Sequence, residues 1–430
     1  MQIDSSNAPY DSSGKAADGS QLAPKRKHCC AHLASKLALS LAAVVFALLA
    51  AEGVTRLFSH VVPPLLCNDA KVGMIYCPNF AGSVYIPESD RDVLLRFNHH
   101  GMRGPDVPYE KRPGVRRIAV VGDSMIAAVA TDEDKTLVCR LADRLNASPA
   151  DARFEVLNFG ISASSTGQEL VLYRELVRKF QPDIVICAFC VANDFGDNCQ
   201  RLTSNRGRIY FDVNDDGELV QIPLVPGRAQ LNSWLNRYSR FYVWQKDATQ
   251  RAINIVRGRA LSLATRAGHD ISSVESGGIG IFCTAPGENL AHAWKITETL
   301  VQTMAQEVRA DGTDFLLAVI PFGVQIYDDT WPEIVAAAAR QSMEQRFPDQ
   351  RLAAIAQAAD FPLILMTDRF RAAAPHHSQA FDDELLHYGA LGHLNDRGND
   401  LAAEVVYQAL KLRQATIAAQ HMPGREKTRR

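Results

Sequence analysis

The sequence predicts an α/β fold: a parallel sheet with helices on both faces. Two observations carry this. From residue 116 onward, short apolar runs of strand length alternate with amphipathic stretches of helical period. One of those runs, 183–189, is apolar almost throughout, as expected of a strand buried on both faces.

Taken in order, 117–121 reads as a strand and 136–145 as an amphipathic helix. Residues 154–158 read as the second strand, 168–180 as a helix and 183–189 as the third strand. Further on, 293–310 sets Ile296, Leu300, Val301, Met304 and Val308 on one helical face and stops at Gly312. Strands at 315–320 and 362–366 and a closing helix at 396–412 complete the pattern. The interval from about 200 to 289 breaks this rhythm. Within it Trp234, Tyr238, Phe241 and Tyr242 share a helical face, which either packs on the main domain or walls a site for a sugar or acyl chain.

The chain has 430 residues, 47% hydrophobic and 22% charged, enough for one large or two modest cores and too apolar for a disordered chain. A formal net charge of −2 provides no global field to recruit nucleic acid. Residues 1–32 are rich in Ser, Asp, Gly, Lys and Pro and read as a disordered leader. Residues 37–51 are small and apolar, with Ser40 the only polar interruption. Extended through Gly53, Val54 and Leu57, the run reaches the ~20 residues that cross a bilayer.

Lys25, Arg26, Lys27 and Lys36 precede that run, so an anchor at 33–57 puts the N-terminus in the cytoplasm and the remainder outside, in a periplasm where there is an inner membrane. A cleaved signal peptide and a buried core helix are the competing readings. Glu52 and Arg56 fall four apart, where they can pair. Residues 58–115, punctuated by prolines, read as a stalk and cover, 116–415 as the main domain with its insertion at about 200–289, and 416–430 as a basic tail.

Of nine cysteines, Cys29 and Cys30 precede the span, where acylation is conceivable. Cys67 with Cys77 is the most plausible disulfide in an oxidising space, and Cys199 with Cys283 a second guess. Cys187-x-x-Cys190 lies inside a strand and reads as core packing.

Val121-Gly122-Asp123-Ser124 ends the first strand. A serine there, on a tight turn, lies where open α/β sheets place ligands, with its N–H facing the same cleft as its hydroxyl. Asn158-Phe159-Gly160 ends the second strand with a glycine suited to a backbone N–H that approaches a ligand. Val191-Ala192-Asn193-Asp194 ends the third, offering the Asn193 amide. His393, in Gly392-His393-Leu394-Asn395, precedes the last helix, where a general base could return to the serine. His376, His377, Asp382, Asp383 and His387 form a dense local group, but no regular ligand spacing argues for zinc.

Together these motifs resemble those of the SGNH (GDSL-type) hydrolases over about residues 95–412. Gly122-Asp123-Ser124 resembles the family's block I, Gly160 block II, Asn193-Asp194 block III and His393 the block V histidine. The flanks Asn98-x-x-Gly101-x-Arg103-Gly104 and Asn193-Asp194-Phe195-x-Asp197-Asn198 are similar to those of membrane-anchored bacterial members. The resemblance implies a three-layer α/β/α sandwich with a flavodoxin-like sheet. It also implies Ser124 as nucleophile, His393 as base and an oxyanion hole of Ser124 N–H, Gly160 N–H and the Asn193 amide.

The chain departs from the family pattern where an aspartate usually precedes the histidine, since those positions hold Leu391 and Ala390. Either a backbone carbonyl orients His393 in a dyad, or a carboxylate comes from elsewhere, with Asp383 the first candidate and Asp382 the second. Val191 stands where a glycine is usual, and Met125 where a leucine is. The expectation is an ester hydrolase without cofactor or metal, anchored in the membrane and acting outside the cytoplasm on an O-acylated glycan or a lipid ester. An O-acyltransferase to a polysaccharide and a non-catalytic scaffold on the same fold are the alternatives.

Overall fold

The computed structural model describes residues 25–58, 65–147, 153–203, 208–223, 278–337, 342–380, 384–389 and 391–420, with 235, 238–246 and 248–249 between them. It divides into an N-terminal unit ending at Ser59 and a second unit from His60 onward.

In the first unit, helix α1 (Lys25–Phe58) contains a stretch, Ser35–Phe58, with mean hydropathy 2.2. Those 24 residues span about 36 Å at 1.5 Å per residue, long and apolar enough to cross a membrane. Leu37, Leu39, Phe46 and Leu49 stand exposed along it. The expected pair forms: Arg56 Nε donates to Glu52 at 2.7 Å.

The second unit opens with two hairpins where the sequence reads as irregular. Strands β1 (Leu66–Asp69) and β2 (Gly73–Tyr76) pair antiparallel, as do β3 (Ala81–Ile86) and β4 (Arg91–Arg96). Their strands are short and flanked by prolines, but alternation is present: Val84, Ile86, Val93 and Leu95 face inward. The Cys67–Cys77 disulfide closes the first hairpin.

The main sheet contains β5 (Val115–Gly122), β6 (Arg153–Gly160), β7 (Ile184–Cys190), β10 (Asp314–Ile320) and β11 (Leu363–Leu365), all parallel, in the order β11-β10-β7-β5-β6. Among these five, that is the 2-1-3-4-5 order of the flavodoxin-like class, which leaves its crevice between β5 and β7. Strands β8 (Tyr210–Val213) and β9 (Leu219–Ile222) form a separate hairpin.

Side-chain alternation along the strands sorts the helices into two layers. Ala119, Val121, Val185, Cys187, Phe189, Leu317 and Val319 face the cluster holding α4 (Thr166–Glu175), α6 (Glu288–Ala310) and α7 (Phe347–Ala358). Ile118, Val120, Ile186, Ala188, Cys190 and Ala318 face α3 (Leu137–Asn146), α8 (Thr367–Ala373) and α9 (Asp396–Gln420). The fold is therefore an α/β/α sandwich. Cys187 and Cys190 are core residues, as their strand position implies. Cys199 and Cys283 are not bridged: both are buried free thiols, which corrects the second pairing.

Candidate active site

Strand β5 runs out at Gly122, and Asp123 caps the one-turn helix α2 (Ser124–Ala127) by accepting the Met125 N–H at 2.8 Å. The cap is thus Asp123 and not Ser124, whose side chain stays available. Ser124 heads α2, so its N–H has no acceptor inside the helix. At the far end of α2 the buried Arg103 guanidinium donates to the carbonyls of Ala127, Ala128 and Thr131. The Asn98–Gly104 motif is therefore a brace. Asn98 Oδ1 accepts two N–H groups of its own turn, and Arg103 fixes the helix that carries the serine.

His393 Nε2 lies 2.8 Å from Ser124 Oγ, across 269 residues of chain. Its Nδ1 lies 2.6 Å from Glu88 Oε2, and the His393 N–H donates to Glu88 Oε1 at 2.8 Å. Glu88 sits in the turn between β3 and β4, a residue the sequence reading did not single out. Asp383 and Asp382, the carboxylates expected there, lie outside the described residues, as does Ala390; the acid in contact with His393 is Glu88. Gly392 makes the approach feasible, because a Cβ at that position would come within 2.6 Å of Glu88 Oε1 and 2.1 Å of the Tyr388 carbonyl oxygen.

The hairpin is clamped beside its turn. Arg91 Nη1 donates to Asp132 at 2.9 Å, and its Nη2 to Asp396 at 3.2 Å and to the Ala130 carbonyl at 3.3 Å. Asp396 opens α9, three residues after His393. Burial acts to lower the His393 pKa, but the hydrogen bond and charge of Glu88, with the charge of Asp123, outweigh it and the net direction is upward. Burial of Glu88 acts to raise its pKa, yet the His393 hydrogen bonds leave it below the ordinary value. Each group stabilises the charged form of the other.

The glycine at the end of β6 has another task. The Gly160 N–H donates to Asn158 Oδ1 at 2.9 Å, while Asn158 Nδ2 donates to the Ile126 carbonyl at 2.8 Å. A Cβ on Gly160 would come within 2.2 Å of the Ala127 nitrogen. Gly160 therefore lets β6 and α2 touch, and its N–H, expected to face the oxyanion, is engaged by Asn158 Oδ1 in this structure.

In the turn that follows, the N–H groups of Ile161, Ser162 and Ser164 donate to Gly122 O, Tyr76 Oη and Ile161 O. That of Ala163 donates to no acceptor among the described residues. Ala163 also adopts a left-handed backbone, with φ of 64°. Asn193 follows β7 across the crevice and precedes the short helix α5 (Asp194–Asn198), its Nδ2 donating to Asp197 at 3.3 Å. Beneath Ser124, burial and mutual repulsion raise the fully buried carboxyls of Asp123, Glu169 and Asp194, with Glu169 pushed up to about 8.

Of the His/Asp group near residue 380, Asp382 and Asp383 lie outside the described residues, and the described histidines share no ligand cluster. His387 is wholly buried, 3.1 Å from Tyr327 Oη through Nδ1, and burial lowers its pKa to about 4, so it is a neutral core histidine. His376 is exposed beside Asp328, and among the described residues no three His, Cys, Asp or Glu side chains could hold a metal. Of the aromatic face in the insertion, Trp234 lies outside the described residues, Tyr238 is exposed, and Phe241 stacks on Trp244.

No family model and no curated protein matches this chain. Among solved structures, it is similar to LAE5, an alpha/beta hydrolase enzyme from the metagenome of Lake Arreo, Spain, at 12% identity, covering 70% of this chain and 97% of that one, TM-score 0.36. It is similar to the acetyl xylan esterase AlAXEase at 12% identity, covering 68% and 99%, TM-score 0.34. It is also similar to a GDSL-like lipase from Bacteroides thetaiotaomicron VPI-5482 at 12% identity, covering 71% and 93%, TM-score 0.33.

Proposed function

We propose that this chain is a serine ester hydrolase of the SGNH type. The observation that carries the reading is the unbroken line from Glu88 to His393 to Ser124, with separations of 2.6 and 2.8 Å at the edge of the sheet. An alcohol hydrogen-bonded to an imidazole, itself held by a carboxylate, is an activated nucleophile. His393 Nε2 takes the Ser124 proton as Oγ attacks an ester carbonyl. The same nitrogen then returns that proton to the departing alcohol, and water resolves the acyl-enzyme. Glu88 fixes the tautomer with the proton on Nδ1 and stabilises the imidazolium as it forms.

The oxyanion is held by the Ser124 N–H, the Asn193 amide and the N–H of the turn after β6, which on hydrogen-bond grounds is that of Ala163. With α1 set in a membrane and its basic flank inside, the site works outside the cytoplasm on an O-acylated glycan or a lipid ester.

The test is labelling by a fluorophosphonate together with hydrolysis of a p-nitrophenyl ester. Ser124 is expected to carry the label, and Ser124→Ala to lose both labelling and turnover. Labelling that persists in Ser124→Ala would overturn the assignment, and an unlabelled, inert wild-type chain would favour the scaffold alternative.

A further inference from the structure

The turn carrying Ala163 and the loop carrying Asn193 belong to different strands, yet one buried side chain reaches both. Arg208, just before β8 and 5% exposed, donates through Nε and Nη2 to the Ala163 carbonyl at 3.1 and 3.0 Å. Its Nη1 pairs with Asp197 Oδ1, and the other oxygen of that carboxylate accepts Asn193 Nδ2. Resting on the hydrolase reading above, we propose that Arg208 is a positioning residue of the oxyanion pocket. It locks the Ala163 turn and, through Asp197, the Asn193 amide into one arrangement.

Three features support the assignment. An alanine in the left-handed region is strained, and such a conformation persists only where its surroundings enforce it. Here two N–H groups of a planar guanidinium grip the carbonyl of that alanine. Second, burying an Arg–Asp pair adds little net stability, because desolvation offsets attraction, whereas its geometry is well defined. Third, the backbone supplying Arg208 is itself fixed, since the next residues, Ile209, Tyr210 and Phe211, are all buried. Arg208 touches no reacting atom in the proposed mechanism; its effect is exerted through two donors.

The experiment compares Arg208→Lys, Asp197→Asn and Asn193→Ala in the full chain, using steady-state hydrolysis of a p-nitrophenyl ester and the rate of fluorophosphonate labelling. Lysine keeps the charge but loses the fork, so kcat and the labelling rate should fall about 10–100-fold with little change in KM. Because the Glu88–His393 pair lies elsewhere, the acidic limb of the pH profile should not move. In the Asn193→Ala background, the penalty of Arg208→Lys should shrink, since part of its effect runs through the amide already removed. Should Arg208→Lys fail to fold, Asp197→Asn decides, with the same loss expected.

A folded variant that keeps wild-type kcat, a penalty that adds in full to that of Asn193→Ala, or a moved acidic limb would overturn the proposal. An active wild-type enzyme with any of these three results defeats this inference alone. A wild-type chain that neither hydrolyses ester nor takes the label defeats the hydrolase reading, and this proposal with it.

Discussion

Glu88 and His393 hold each other's charge, and that fixes the direction of the pH response. A base must be neutral to accept the Ser124 proton, so activity falls as pH drops through the raised His393 pKa. In Glu88→Gln the charge that raises this pKa is removed and the hydrogen bond is left with a neutral acceptor, while the burial that lowers it remains. The acidic limb of kcat/KM should therefore move to lower pH. The plateau should fall by about 10²–10⁴-fold, by analogy with the loss of the orienting acid in a well-studied triad. A pH–rate profile of the purified variant checks both. An unmoved limb with an undiminished plateau would mean that Glu88 has no part in the reaction.

Among elements, the contact between β6 and α2 sets the nucleophile's height above the sheet. That contact is tight at Gly160, where an added methyl would meet the Ala127 and Ile126 backbone at 2.2 and 2.6 Å. Backbone cannot swing aside as a flexible side chain can, so Gly160→Ala should destabilise the fold by about 1–3 kcal/mol, the usual penalty of overpacking. Differential scanning calorimetry would register this as a lowered Tm. A Tm unchanged from that of the wild-type chain would show that the contact is not as tight as its geometry implies. The β3–β4 hairpin is the second element that matters. Its turn supplies Glu88, and the Arg91 clamp to Asp132 and Asp396 ties that turn to the start of α9.

At the scale of the molecule, every group of the proposed machinery lies between Glu88 and His393, within the unit that begins at His60. A chain starting at residue 60 should thus be soluble without detergent and keep the ester kcat of the full-length protein within about twofold. Lost activity in a folded, truncated chain would show that α1 does more than hold the protein at a surface. Reducing the Cys67–Cys77 bridge should matter little to the sheet, since β1 and β2 pair outside it.

The strands of the sheet are legible in the sequence because each is built round a short apolar run, and 183–189 is apolar almost throughout, as suits a strand buried on both faces. Ser124 and Asn193 are legible because they follow the carboxyl ends of sheet strands, and His393 because it stands in the loop before the last helix, positions marked by local punctuation. Gly160 illustrates how far that goes: its position is readable, but where its N–H points depends on Asn158 Oδ1. The Cys199–Cys283 pairing fails for a similar reason, since sequence records how many thiols exist and not how far apart folding leaves them.

Local pattern along the chain suffices for the layers, the succession of strands and the loops that gather over the crevice. Which carboxylate meets His393, and which N–H remains unspent, depends on long-range packing. Periodicity and turn chemistry are local, acting over a few residues, whereas Glu88 and His393 meet across 305 residues of chain and a hairpin whose packing no local pattern encodes.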